Sequence, residues 1–253
     1  VSVDEIEEHL SAQIESLREL RWDGGVDDIV ARQARRLGAL ALQEREEPLR
    51  PDDDLLPLIV ERIGSVGLDR VLKLPRELLS RVARMRRLEP GGGWPDYSLQ
   101  GLTAGIDDWL GPWLSNGGGL RAVRKTGVES ILAHHLGRER LQRLDDALPT
   151  YVTTPAGTRR RISYPPDGDP ILALPMQELF GERAGPRLAG GQVSLVLHLL
   201  SPAGRPLQIT SDLAAFWAGA YADVKKEMRG RYPKHHWPDD PAGAAATRSL
   251  KRR

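Results

Sequence analysis

Near Pro149 the apolar residues of this chain change their period, and that change removes most architectures from consideration. Between Pro51 and Leu148 they recur every three or four positions, the mark of helices with one buried face. From Pro149 onward they alternate or form short runs bounded by turn residues, the mark of strands. Helices grouped first and strands grouped after them are segregated along the chain. They predict an α+β fold, in which a mostly helical segment packs with a small antiparallel β-rich segment and a C-terminal helix.

Helices are expected over residues 52–63, 75–88, 98–114 and 120–146. The acidic triplet Asp52-Asp53-Asp54 opens the first of them. Carboxylates at that place either favour a helix N-terminus or ligate a metal ion, and both readings stand. Pro90-Gly91-Gly92-Gly93 and Asn116-Gly117-Gly118-Gly119 separate the later helices. Neither glycine run is followed by Gly-Lys-Ser/Thr, so both read as connectors and not as phosphate loops. Upstream, Val3, Ile6, Leu10, Ile14, Leu17 and Leu20 place one stripe on a helix of residues 3–20. Asp23-Gly24-Gly25 ends it, and residues 29–43 read as extended structure.

Strands are predicted at residues 151–154, 158–164, 171–174, 193–200 and 206–210. Thr154-Pro155-Ala156-Gly157 and Ser201-Pro202-Ala203-Gly204 share one composition. Pro suits the first central turn position and Gly tolerates positive φ, so both predict hairpins. Val193 to Leu200 is apolar on both faces, as in a covered strand, with His198 a core histidine. A last helix runs from Ser211-Asp212 to Arg229 with an aromatic stripe including Phe216, Trp217 and Tyr221, and Gly230 is its expected left-handed cap.

At 40% hydrophobic residues over 253 positions the chain can bury a substantial core. With 36 Lys+Arg against 35 Asp+Glu the net charge is +1, but its distribution is uneven. Residues 1–60 hold 15 acidic and 7 basic side chains, whereas residues 225–253 hold 9 basic and 3 acidic. The absence of cysteine excludes disulfides, thiolate metal cages and Cys nucleophiles, and suits a cytoplasmic setting. No apolar run has the length of a membrane helix, and the N-terminus is acidic where a signal peptide is basic, so no membrane insertion is expected. The chain opens on Val1 directly into a helical pattern, which reads as a fragment or an alternative start codon.

The chemistry that is missing narrows the function. Neither G-x-x-x-x-G-K-[ST] nor an Asp-Glu-x-His/Asp box occurs, so these residues alone are not expected to hydrolyse ATP. G-x-S-x-G and H-E-x-x-H are absent as well. The adjacent pairs His134-His135 and His235-His236 point to different sides of any regular element and make poor ligand sets; no metal is expected. What remains is a basic segment interleaved with aromatics. Lys225, Lys226, Arg229, Arg231 and Lys234 can neutralise phosphates, and Tyr232 and Trp237 can stack on unpaired bases. The competing reading is that Tyr232 and Trp237 pin a C-terminal arm onto the domain while the charges are solvated.

Several longer words then point to a family. Gln177-Glu178-Leu179-Phe180-Gly181, Leu197-His198-Leu199-Leu200-Ser201-Pro202-Ala203-Gly204-Arg205-Pro206, Thr210-Ser211-Asp212-Leu213 with Phe216-Trp217, and Arg229-Gly230-Arg231-Tyr232-Pro233-Lys234-His235 with Trp237-Pro238-Asp239-Asp240-Pro241 resemble the C-terminal region of the HrpB family of bacterial DEAH-box ATP-dependent RNA helicases. The resemblance is firm from about Leu148 and looser through Arg36-Leu37-Gly38-Ala39-Leu40, Trp94-Pro95-Asp96 and Asp108-Trp109-Leu110. His236 stands where the family usually has proline.

That resemblance implies an upstream part with two RecA-like motor domains holding ATP and Mg, a winged helix, a helical bundle and an OB-like element. Residues 1–50 would end the preceding helical-bundle or OB-like module, its last strands at residues 20–47. Residues 51–148 would form the helical part of the family's C-terminal extension, 149–230 its β-rich part with a closing helix, and 231–253 a basic arm. The implied role is non-catalytic, with no cofactor in this chain: RNA contact and support for the motor, with single-stranded RNA and the motor domains as partners. The alternative is a docking module that positions the helicase with a protein partner without RNA binding of its own.

Overall fold

The structure is a computed structural model that describes residues 10–114 and 118–247. It divides into two compact units, one of residues 1–75 and 95–137, the other of residues 76–94 and 138–253. The mixture of helix and sheet is the α+β class expected. The expected stretch of helices does not stay together, since Arg76–Leu88 and Arg138–Ala147 belong to the strand-bearing second unit.

The first unit opens on a three-stranded antiparallel meander, β1 (Ile14–Asp23), β2 (Asp28–Leu37) and β3 (Leu40–Glu47). The described part of the helix expected over residues 3–20 is therefore a short 3-10 turn, Ser11–Gln13, followed by a strand from Ile14, and residues 3–9 lie outside the described residues. Arg18 explains the misreading. It occupies a position on the same side of β1 as Leu20 and Trp22, where its guanidinium meets the Asp53 carboxylate at 2.6 Å and 2.8 Å. A polar residue at an inward position hides the period of two, and Leu17 on the opposite face completes a false period of three and four.

The acidic triplet neither caps a helix nor joins a metal cluster. The helix begins at Leu56 with no side-chain cap, and Asp53 instead accepts from Arg18 and from the backbone N–H of Arg50 at 2.7 Å. No group of three or more metal-ligating side chains occurs among the described residues. Asp28 supplies a carboxylate to a helix N-terminus at a distance in sequence, its Oδ1 accepting from Leu120 N–H at 3.2 Å.

The remaining helices of this unit are shorter than their periodicity predicts. Residues 98–114 form Leu99–Ala104, Ile106–Trp109 and Gly111–Leu114. The stretch 120–146 divides into Gly119–Thr126, Val128–Leu136 and, in the second unit, Arg138–Ala147. The apolar stripe continues across these breaks, but at Gly137 φ is 81°, a left-handed conformation that stops the helix at a residue without a Cβ. Asn116 and Gly117 lie outside the described residues.

The second unit holds a five-stranded sheet in the order β10-β9-β6-β5-β4: β4 (Tyr151–Thr153), β5 (Arg159–Ser163), β6 (Ile171–Pro175), β9 (Val196–Leu200) and β10 (Pro206–Thr210). Both Pro-Ala-Gly turns are hairpins, closed by Gly157 N–H on the Thr154 carbonyl at 2.8 Å and by Gly204 N–H on the Ser201 carbonyl at 2.9 Å. The sheet departs from the antiparallel expectation at one pair, because β6 and β9 run parallel from Ile171↔Val196 to Pro175↔Leu200. Their connection carries the small hairpin β7 (Arg187–Leu188) and β8 (Val193–Ser194). Only one face of β9 is fully covered: Leu197 and Leu199 are buried, while His198 is partly exposed, so it is not the enclosed core histidine expected.

Arg81 closes the C-terminal end of Arg138–Ala147. Its guanidinium donates to the carbonyls of Leu148 at 2.7 Å and Leu144 at 3.3 Å, and it pairs with Asp145. Carbonyls left over by a helix end thus find a charged donor. Among the described residues no helix is long and apolar enough to cross a membrane.

Candidate nucleic-acid interface

The expected last helix is two helices. Leu213–Ala218 is capped by Asp212, whose Oδ1 accepts from Ala215 N–H at 2.9 Å. A break at Gly219 re-aims the chain into Tyr221–Arg231. Gly230 lies inside this second helix and does not cap it; the chain leaves at Tyr232.

Tyr221 and Met228 turn the second helix inward. Ala222, Lys225, Lys226, Arg229 and Gly230 recur at i, i+3, i+4, i+7 and i+8 and line an open trough of about 490 Å³. Ala and Gly keep its floor low between the cations. Lys226, Arg229 and Lys234 are exposed and make no ion pair among the described residues. Lys225 is engaged by Asp239, whose carboxyl it holds below the ordinary range through that charged hydrogen bond. Arg231 faces Glu227 at 3.4 Å, with both side chains open to solvent, a contact of small worth.

The two aromatics of the arm behave differently from these cations. Trp237 is only 9% exposed, and its indole N–H donates to the Tyr232 carbonyl at 2.9 Å. It offers no stacking face in this structure and anchors the arm, as the competing reading had it. Tyr232 is half-buried, with its ring edge-on to His235 at 5.9 Å.

The arm beyond Trp237 is seated by main-chain hydrogen bonds. Gly181 N–H donates to the Pro241 carbonyl at 2.9 Å, Thr247 N–H to the Gln177 carbonyl at 3.0 Å, and the Tyr221 hydroxyl to the Pro238 carbonyl at 2.8 Å. At Gly181, where φ is 85°, a Cβ would come within 3.0 Å of the Ala244 carbonyl oxygen. The ring of Phe180 meets Trp217, Tyr221 and His236. Glu178 is buried and pairs with Arg160 of β5. The Gln177-Glu178-Leu179-Phe180-Gly181 word is therefore the receiving surface for the arm.

The structure thus gathers Lys225, Lys226 and Arg229 on one helix face and leaves Arg231 and Lys234 beyond the trough lining. Sequence reasoning missed Ala222 and Gly230 as its floor, although their spacing with the three cations carried the signal.

The model of the family described as ATP-dependent helicase C-terminal, HrpB_C, matches residues 109–241. The chain is 38% identical over 255 residues to the ATP-dependent RNA helicase HrpB of Escherichia coli (strain K12), an alignment covering 100% of this chain and 31% of that protein. It is similar to the crystal structure of the E. coli DExH-box NTPase HrpB, with a TM-score of 0.74 and 37% identity over 98% of this chain and 31% of that one. A second crystal structure, of the Escherichia coli DEAH/RHA helicase HrpB, gives a TM-score of 0.64 and 35% identity over 89% of this chain and 29% of that one. The chain spans about a third of the length of these relatives.

Proposed function

Since the chain belongs to the HrpB family of ATP-dependent helicase C-terminal regions, we propose that it is a non-catalytic part of an RNA helicase and gives the motor an added grip on single-stranded RNA. The motor domains, with ATP and Mg, would lie outside these residues. The observation that carries this reading is the trough on Tyr221–Arg231. Lys226 and Arg229 are exposed there and make no ion pair within 4 Å among the described residues, although Arg229 is near enough to Asp239 to help Lys225 hold its carboxyl below the ordinary range, and small residues lie between them on that face.

Cations on a purely structural surface are commonly interspersed with acids, as on Arg231 and Glu227. An unpaired set along a low groove suits a phosphate backbone, which exchanges condensed counterions for the side chains. Lys234, exposed just past the helix, extends that track. Trp237 and Lys225 serve as anchors of the arm and not as contacts.

Titration of the chain with single-stranded RNA at several salt concentrations tests this. Replacing Lys226, Arg229 and Lys234 together by Ala should weaken binding alike for all sequences and lower the salt slope by about 2, at roughly 0.7 per lost contact. An unchanged slope in the folded variant, or capture of a protein partner by a wild type with no RNA affinity, would replace this reading with the docking one.

A further inference from the structure

On the exposed face of the β4–β5 hairpin, register sets Tyr151 opposite Arg161 and Thr153 opposite Arg159, with Val152 and Arg160 turned to the other side. The Tyr151 ring is an outlier for a short edge strand: the residue is 39% exposed. Arg159 Cζ lies 4.1 Å from the ring centroid and Arg161 Cζ 5.9 Å from it. Arg161 also pairs with Glu77 at 2.8 Å, which fixes its guanidinium in place. Arg159 makes no ion pair among the described residues. Beside the ring lies a hollow of about 300 Å³, bounded by Asp145, Pro149, Thr150, strand β4 and Arg159.

We propose that Tyr151 with Arg159 and Arg161 forms a stacking platform for one unpaired base of RNA, a second point of contact distinct from the cationic trough. The proposal rests on the reading that the chain binds single-stranded RNA. With the Arg159 guanidinium lying over one face of the phenol ring, the outer guanidinium plane and the ring's other face are the surfaces that accept the flat face of a base, and neither demands a particular base. A hollow near 300 Å³ is at the lower limit of sites for small planar groups, which fits a single base. Arg159, which makes no ion pair among the described residues, supplies a contact to a flanking phosphate, while Arg161 is held by Glu77 beside the ring. A base within a duplex has its faces covered by its neighbours, so this platform selects single strands.

Two ligands separate the contributions: an oligouridine, and an abasic sugar-phosphate chain of equal length. Tyr151→Ala should weaken oligouridine binding roughly 5- to 150-fold without changing the salt slope, and leave affinity for the abasic chain as it was. Tyr151→Phe should bind as wild type. Arg159→Ser should weaken both ligands and lower the slope by about 0.7. If Tyr151→Ala lowers the melting temperature yet binds oligouridine as wild type does, the ring only braces the hairpin and the platform is wrong. If the trough variant loses affinity while Tyr151→Ala and Arg159→Ser do not, the platform fails and the trough reading survives. A wild-type chain that binds neither ligand overturns both.

Discussion

In the three-stranded sheet, full burial among described residues is limited to Ile29, Ala31 and Ala34, and Leu17 and Leu40 stay 45% and 54% exposed. In the five-stranded sheet Ile162, Leu172, Leu174, Leu197 and Leu199 are almost wholly enclosed. The first sheet is laced by guanidinium–carboxylate pairs: Arg18 with Asp53 and Glu47, Arg32 with Asp23, Glu44 and Glu46. The second relies on removal of apolar surface from water. The two sheets are therefore expected to respond to different perturbations, the first to pH and salt, the second to changes of side-chain volume.

The largest effect that can break this comparison is expected in the second sheet. Leu199→Ala should cost about 2–5 kcal/mol in urea unfolding, because the lost transfer energy adds to a cavity that close-packed neighbours fill only in part. A cost under about 1 kcal/mol would mean the sheet is less tightly packed than its burial indicates.

Asp53→Asn should act next, and mainly through pH. The Arg18 hydrogen bonds, with that of Arg50 N–H, hold the Asp53 carboxyl below its ordinary range against the opposing effect of burial. A depressed folded pKa stabilises the protein above the unfolded value, near 3.9, and that contribution is lost as the pH falls through the folded one. Melting curves of wild type and Asp53→Asn should therefore differ at neutral pH and converge in acid; parallel curves would assign the first sheet's stability to something other than this pair.

Leu17→Ala should change stability least, within about 0.5 kcal/mol, because its side chain already faces solvent. A larger loss would show that this leucine is covered in solution.

The contrast also governs what could be read from sequence. The strands after Pro149 were legible because their inward positions are apolar and their turns carry Pro and Gly at set places. β1 was not, because Arg18 occupies an inward position that only a distant carboxylate makes tolerable. Helical period was visible across residues 98–146, but it says nothing of a backbone that turns left-handed while the stripe continues, as at Gly137. At the candidate interface the cations were evident from residue type. Which of them remain available was not, since Lys225 is taken by Asp239, fourteen residues further along. The anchoring of the arm by Trp237 was one of the two readings that residue types left open, and its indole hydrogen bond to the Tyr232 carbonyl accompanies the burial that favours it.

The two units are interleaved along the chain, and this bears on the order in which they can be completed. Synthesis proceeds from the N-terminus, and contacts distant in sequence must wait for their second member. Every segment of the first unit has been made once Gly137 is reached. The helix Arg76–Leu88 must stand by much longer: Arg84 donates to the Gly168 carbonyl, 84 residues downstream, and Ser80 to that of Pro165 at 2.7 Å. The aromatic cluster around Phe180 waits longer still, for His236 and for the carbonyl of Pro241 that receives Gly181. Val82 and Met85, both buried in the finished fold, thus wait for later segments of the second unit before their apolar surface is covered in full.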